Sequence, residues 1–365
     1  MNKIKILKIA VAILGVILLV LLGGYLIFNS YYSKMNHKEQ TKTTLNSEEI
    51  ENINKELESE ESGEDSPEEE VKSIEDQILE NLKNNATELA SDGDVFNILL
   101  VGTDNRENVA GSRSDSMIVV SINKKTKEIT MTSFMRDSYV SIPEYGNNRL
   151  NAAFAFGGPS LLIDTIESNF KIDINRYAQV DFYAFIDIIN AFGGIDMEIS
   201  EDEMKVINDY TGEVNRLQGA DKNSSKLTDF GLVHLDGKQA LSYSRIRYVG
   251  NNDFGRTERQ RKVLSALFTK AKDSGIVELK NLFDMVLPEV TTDLTQGECF
   301  SLLLNLNDYK NYEIKSNRVP YDGAWSSARI RGMSVLNLDF EKNIKQLQKD
   351  IYDIGDETES EAETN

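Results

Sequence analysis

Two scarcities narrow the chemistry open to this 365-residue chain: one cysteine, Cys299, and two histidines, His37 and His234. A lone cysteine rules out an intrachain disulfide, and Cys299 reads as a small buried hydrophobe. One histidine falls in an acidic stretch and the other in a loop-like LVHLDG, which nearly excludes a His-rich zinc site or a Ser-His-Asp triad. Chemistry must run on carboxylates and arginines, with or without a metal ion. Arginine is itself sparse over most of the chain. Nine of the fourteen lie within residues 104–149 and 245–261, and elsewhere positive charge is mostly lysine.

The net charge of −20 is unevenly spread. Residues 37–90 hold 17 acidic against 5 basic side chains, and the chain after Lys349 holds 7 acidic and no basic ones. The acidity therefore belongs to a stalk and a tail, and says nothing against an anionic substrate for the part between them. It argues against nucleic-acid binding. Residues 9–28 are an apolar run, preceded by Lys3, Lys5 and Lys8 and followed by acidic sequence. About 20 apolar residues suffice to cross a bilayer, and this charge order places the N-terminus in the cytoplasm and the bulk of the chain outside. YLIFNSYYSKM follows instead of a small-x-small cleavage site, so an uncleaved signal anchor is favoured over a signal peptide. No cysteine stands near its end, which argues against a lipoprotein. The expected organisation is a cytoplasmic N-terminus (1–8), a transmembrane anchor (9–28), a solvated acidic stalk (29–93) carrying at most a short helix, an extracellular catalytic domain (94–345) and an acidic tail (346–365).

From Phe96 the pattern turns to layered α/β. FNILLVG reads as a buried strand, and SMIVVSI and EITMTSF flank NKKTK as a hairpin. PSLLIDTIESNF reads as a helix with Pro159 at its first position, RYAQVDF as a strand, and DFYAFIDIINAFGG as a helix stopped at Gly193–Gly194. GIDMEIS returns as a strand. Residues 202–229 read as a polar, irregular surface insertion, DGKQALSYSRIR as a turn and short helix, and GRTERQRKVLSALFTKAK as a longer helix. Residues 276–348 are expected to add helices and strands to the same core, with Arg329 and Arg331 as surface charges. Alternating strands and helices predict a three-layer α/β/α domain around a central mixed sheet.

The two arginine blocks carry the function. A chain that uses lysine elsewhere but arginine here is selecting the planar fork that binds phosphate oxygens in pairs and never deprotonates. The interleaved aspartates are the usual means of holding Mg²⁺ beside a polyphosphate. The blocks therefore read as a phosphate or pyrophosphate site, the competing account being structural Arg–Asp ion pairs. In the long helix Arg256, Gln260, Val263 and Leu267 share one stripe, which puts Gln260 on the inward side. Gln260 could equally close a capping box, Thr257-x-x-Gln260, and Asp253 could be only a cap.

In order, LLVGTDNR, SRSDSMIVV, SFMRD followed by IP, RLNAAFAFGG, VDFYAFIDIINAFGGIDMEI, LDGKQALSYSRIRY and DFGRTERQRKVL resemble the motifs of the LytR-CpsA-Psr family of Gram-positive cell-envelope phosphotransferases. They cover roughly residues 96–272 and include both arginine blocks. Met135 departs from the proline that family members often carry there, a change of backbone shape more than of charge. The resemblance implies an α/β/α domain that binds a polyprenyl-pyrophosphate-linked glycopolymer, with the prenyl chain in a hydrophobic pocket and Mg²⁺ assisting. It implies transfer of the glycopolymer phosphate to peptidoglycan, as in attachment of wall teichoic acid or capsule. Carried over by position, Asp104 and Asp115 would hold Mg²⁺. Arg113, Arg136, Arg245, Arg247 and Gln260 would grip the pyrophosphate, and Arg256 and Asp253 would complete the pocket. Asp104, Asp115, Arg136 and Asp137 are the catalytic candidates, Arg106 supports them, and which group takes the acceptor's proton is left open. Phe134, Phe182, Phe185, Ile186 and Leu241 are candidates for the lipid pocket, each also readable as ordinary core. The alternatives are a pyrophosphohydrolase using the same groups, a membrane-anchored binder or regulator of lipid-linked glycans, and a transcriptional attenuator. Against the last stands the absence of a recognisable DNA-binding helix pair.

Overall fold

A computed structural model describes residues 28–38, 45–58, 64–83, 89–103, 114–274 and 284–354. The strands are β1 (Asn36–His37), β2 (Val95–Thr103), β3 (Ser114–Asn123), β4 (Glu128–Phe134), β5 (Tyr139–Ile142), β6 (Gly146–Arg149), β7 (Arg176–Asp181), β8 (Ile195–Ile199), β9 (Gly231–Leu235), β10 (Thr291–Thr292), β11 (Glu313–Val319), β12 (Trp325–Ile330) and β13 (Met333–Leu338). The helices are α1 (Ser47–Glu58), α2 (Glu68–Lys83), α3 (Leu150–Phe170), α4 (Phe182–Ala191), α5 (Glu201–Leu217), α6 (Gly237–Ser244), α7 (Asn252–Asp273), α8 (Gln296–Leu304), α9 (Leu306–Tyr309) and α10 (Phe340–Tyr352).

A seven-stranded sheet in the order β1-β10-β7-β2-β3-β4-β11 forms the middle layer. It is mixed: β3 runs antiparallel to both its neighbours, β2 and β4, while β7 lies parallel to β2 and β11 parallel to β4. Strand alternation feeds two cores. Met117 and Val119 of β3 point to the side covered by α3 and α10, with Leu161, Ile166, Leu347 and Ile351. Ile118, Val120 and Ile122 point to the side where α7 supplies Leu264 and Phe268. The expected three-layer arrangement is present. The hairpin turn is set by Asn123, whose side chain accepts from the Lys125 and Thr126 amides.

Several expectations change. Helix α3 begins at Leu150, kinks where Gly158 has φ +65°, and restarts at Pro159. Strand β8 leaves the central sheet and pairs with β9, which contains the loop-assigned His234. His234 Nδ1 lies 2.7 Å from Asp196, and its Nε2 lies 2.9 Å from the Gly193 carbonyl. The polar stretch after Ser200 is irregular only in its second part, residues 218–229; its first part is α5, opened by a Ser200–Glu203 capping box and burying Ile207, Thr211 and Val214. Cys299 is half-buried, and burial pushes its thiol up to about 11, which makes it inert.

The stalk and tail are likewise partly structural. α2 is packed, with Ile74 and Ile78 at 2% and 1% exposure in the main core, each worth about 1.5–3 kcal/mol of burial. α10 carries Leu347, Ile351 and Tyr352 into the same core, so the body extends past residue 345. Upstream, Phe28 packs on Phe300 with ring centroids 5.1 Å apart, and β1 pairs in parallel with β10. The Tyr177 hydroxyl donates to the Lys38 carbonyl at 3.0 Å. The expected anchor lies, apart from Phe28, outside the described residues; among those described, no helix is long and apolar enough to cross a membrane.

Helices α4 and α6 approach at Gly237, where a Cβ would sit 2.2 Å from the Ile186 carbonyl oxygen. Gly237→Ala should therefore overpack this contact and cost about 1–3 kcal/mol in urea unfolding. Gly93→Ala, with nothing within 4 Å of the added carbon, is the control. Equal stability of the two variants would show that the α4–α6 contact is not tight.

Candidate active site

The β3–β4 register brings the first functional pair together. Ile118 pairs with Ser133, and continuing that register three places sets Asp115 opposite Arg136. Arg136 Nη1 reaches Asp115 Oδ1 at 3.4 Å. Its Nε lies 3.6 Å from Asp137 Oδ2 and 3.5 Å from Asp253 Oδ2. Arg149, 3% exposed, holds Asp137 from behind at 3.6 Å while its Nε and Nη2 donate to the Ser334 carbonyl at 3.0 and 2.6 Å. Helix α7 closes the cluster from the other side. Arg256 Nη2 donates to Asp253 Oδ2 at 3.0 Å, its Nη1 lies 3.7 Å from Asp115 Oδ1, and Arg247 Nε lies 3.6 Å from Asp253 Oδ1.

Four guanidinium groups thus share three carboxylates, leaving the cluster cationic. Most separations are those of ion pairs, not of good hydrogen bonds. Asp253 Oδ1 and Arg256 Nε are buried with no hydrogen-bond partner among the described residues, so the network retains unspent polar capacity. Burial, with Arg136 close by, lowers the Arg256 pKa to about 10; it is still a cation at neutral pH. Burial pushes the Asp137 carboxyl above its ordinary value, and Arg136 and Arg149 pull it back.

Beside this cluster opens a cavity of about 540 Å³ between the sheet and helices α4, α6 and α7. Asp115, Arg245, Arg247, Arg256 and Gln260 line its charged part, and Phe182, Phe185, Leu241, Leu264 and Leu267 its apolar part. Leu264 and Leu267 follow Arg256 by about 12 and 16 Å along α7, so the apolar lining extends well away from the charges. The Arg245 guanidinium lies over the rings of Phe182 and Tyr210, 5.3 and 5.5 Å from their centroids. Stacking holds it there without a carboxylate partner among the described residues.

The structure gathers most of the expected residues. Asp115, Arg245, Arg247, Arg256, Gln260, Phe182, Phe185 and Leu241 line the cavity, and Arg136, Asp137 and Asp253 form the network against it. Asp104, Arg106 and Arg113 lie outside the described residues. Two lipid-pocket candidates are elsewhere. Phe134 has the opposite strand parity from Met131, faces the α3 side and packs on Phe170 at 5.0 Å. Ile186 is 4% exposed and packs with Val214 and Leu241 behind the cavity wall. Helix α7 starts at Asn252, so no Thr257–Gln260 capping box forms; Thr257 Oγ1 donates to the Phe254 carbonyl instead. Asp253 is in the first turn and serves the arginines, not the cap. Arg149 and Tyr210 were missed as site residues. Arg149 stood within a matched motif, and Tyr210 was hidden by the misreading of α5, whose Met204, Ile207, Thr211 and Val214 do keep helical period.

For a metal, Asp115 offers hard oxygens at the cavity wall, which suit Mg²⁺. Among the described residues no group of three or more His, Cys, Asp or Glu side chains is arranged to hold a metal ion, and the second expected ligand, Asp104, is not among them.

The LytR_cpsA_psr family model matches residues 34–351. The chain belongs to that family. It is 35% identical over 221 residues to the polyisoprenyl-teichoic acid–peptidoglycan teichoic acid transferase TagU of Enterococcus faecalis, covering 59% of this chain and 66% of that relative. It is 34% identical over 250 residues to the protein of the same name from Oceanobacillus iheyensis, covering 65% and 72%. Among solved structures it is similar to TagT bound to LIIa-WTA (TM-score 0.57, 26% identity, 72% of this chain and 93% of that one). It is also similar to YwtF (TagT) with bound octaprenyl pyrophosphate lipid (TM-score 0.54, 25% identity, 72% and 93%). The family assignment expected from the motifs holds, and the matched region begins well before them.

Asp253 is the carboxylate shared by most guanidiniums of the cluster. Asp253→Ala would leave the buried Arg256 undercompensated and should lower stability by about 3 kcal/mol in denaturant unfolding. An unchanged midpoint would mean that Asp115 alone suffices to hold Arg256.

Proposed function

We propose that this member of the LytR_cpsA_psr family is a transferase that moves a glycopolymer phosphate from a polyprenyl-pyrophosphate carrier to peptidoglycan. The observation that carries the reading is the cavity with guanidiniums at one part and an apolar lining through the rest. A pyrophosphate head on a prenyl tail needs both. The TagU relatives' names supply the transfer, and octaprenyl pyrophosphate bound to TagT supplies the lipid class.

In the reaction an acceptor hydroxyl oxygen bonds to the phosphorus bearing the glycopolymer. The bond from that phosphorus to the bridging oxygen breaks, polyprenyl phosphate leaves, and a site carboxylate takes the hydroxyl proton. Phosphoryl transfer needs positioning and charge neutralisation more than covalent work by the protein. Arg245, Arg247 and Arg256 bear on the pyrophosphate at the cavity wall, with Gln260 as a neutral partner. Arg136 is oriented by Asp115, Asp137 and Asp253, and Arg149 keeps Asp137 in place. Asp115, with Asp104, would hold Mg²⁺, which would neutralise further charge on the pyrophosphate oxygens.

Transfer from a prenyl-pyrophosphate-linked glycan to peptidoglycan fragments should give a phosphodiester, stop with EDTA and return with excess Mg²⁺. Asp115→Asn should remove turnover while retaining lipid binding. Arg245→Lys should weaken octaprenyl pyrophosphate binding by about tenfold, since a point charge reproduces neither the fork nor the stacking on Phe182 and Tyr210. Free polymer phosphate as the sole product would make the protein a hydrolase, and turnover indifferent to EDTA and to Asp115→Asn would remove the metal from the scheme.

The same reading puts the domain on the outer face of the cell membrane, held by residues 9–28, where peptidoglycan is at hand. Protease added to intact protoplasts should release the domain and leave a short membrane fragment. A protected domain would reverse the topology.

A further inference from the structure

Helix α8 turns apolar side chains both inward and outward. Its one charged side chain, Glu298, pairs with the Arg176 guanidinium at 2.7 Å, and Leu302 packs into the core shared with Ile118 and Val120. Outward, one helical stripe carries Phe300, Leu303 and Leu304, which are 42%, 43% and 67% exposed. A surface helix ordinarily presents polar side chains on that side, and one that is apolar on both sides belongs where water is scarce. Met285, on the segment that leads to β10, is half-exposed as well.

Chain continuity says what meets this face. Phe28 is the last residue of the apolar run 9–28, and its ring packs edge-on against Phe300. The next residue, Asn29, accepts at 2.8 Å from the Gln296 side chain at the start of α8. Tyr31 and Tyr32 follow, their hydroxyls donating to Asp284 at 3.5 Å and to the Leu294 carbonyl at 3.2 Å, and Lys34 pairs with Asp284. Tyrosines and a lysine just past an apolar run are the usual residues of a bilayer's headgroup layer. Phe300 therefore stands beside the point where a span in residues 9–28 would leave the hydrocarbon. A second copy of the chain is a poorer occupant, because a nine-residue helix offers far less than the ~800 Å² per partner of a stable interface.

We propose that the outer face of α8 is a membrane-contact surface, with Phe300, Leu303 and Leu304 entering the interfacial layer of the bilayer beside the anchor. The assignment rests on the reading of residues 9–28 as a span with the body outside, and deepens it: the body touches lipid at two places. Val290, in the wall of the cavity, lies between Met285 and α8 in the chain, so the apolar part of that cavity borders the same margin. A prenyl carrier would pass from bilayer to cavity along α8 without crossing open water.

Full-length protein in phosphatidylglycerol–phosphatidylethanolamine vesicles, with Cys299→Ala removing the one native thiol, would be spin-labelled at Leu303→Cys or Leu304→Cys. Glu341→Cys, exposed on α10 across the sheet from α8, is the control. Collision with oxygen, which concentrates in lipid, against a nickel chelate, which stays in water, reads the depth of each label. Labels at 303 and 304 should lie about 5–10 Å below the headgroup boundary, and the label at 341 in water. Aqueous values at all three positions would overturn the proposal, and a chain that still resisted carbonate extraction would keep the span. Low collision with both reagents at 303 and 304 would also overturn it, since protein and not lipid would then cover the face. Release of the chain by carbonate would count against the span, while lipid depth at 303 and 304 measured before the wash would still support the contact surface.

Discussion

Everything at this site depends on putting like charges close together. Two unit charges 4 Å apart interact by about 4 kcal/mol at an effective dielectric constant near 20, so Arg136, Arg247 and Arg256 would repel one another strongly if left alone. Asp253 removes that cost by lying between them, with Asp115 assisting from β3. The aspartates compensate enough charge for the fold to close and leave enough over to attract a pyrophosphate. On the proposed reading, structural ion pairing and anion binding are one arrangement in this protein, not rival accounts of the arginines.

That arrangement requires three separate chain segments to meet at one end of the sheet's inner strands. The β3–β4 hairpin supplies Asp115 and Arg136, α6 ends at Arg245, and α7 supplies Asp253 and Arg256. α7 can hold its position because Leu264 and Phe268, further along, are committed to the sheet through the core shared with Ile118 and Val120. Packing at one end of the helix thus fixes chemistry at the other. The same helix borders the apolar cavity through Leu264 and Leu267, so head and tail of the proposed lipid pyrophosphate would be read by a single rigid element.

Residue type and periodicity made much of this legible. The hairpin, α4 with its stop at Gly193 and Gly194, and the clustering of arginines follow from local patterns that survive in the fold. Misreadings arose where local polarity hid a buried stripe. α5 is acidic and looks like solvent-facing loop, yet every third or fourth residue goes inward; the stalk helix α2 does the same with Ile74 and Ile78. Phe134 and Ile186 show the opposite limit. An apolar side chain in a functional motif has two apolar destinations, and only strand parity or a close backbone contact such as that at Gly237 decides between them.

The pairing of β1 with β10 has a mechanical side. The segment from Phe28 to Lys38 is not a free tether: it is fastened to the sheet's margin and to α8, next to Val290 at the cavity wall. Whatever holds the chain upstream of Phe28 is joined to the body with almost no slack. An anchor in residues 9–28 would act less like a leash than like a bracket, fixing the tilt of the body and the height of its cavity above the bilayer. A carrier lipid would then meet the opening at a set distance, and the reach of transfer would be limited to glycan strands lying directly over the membrane.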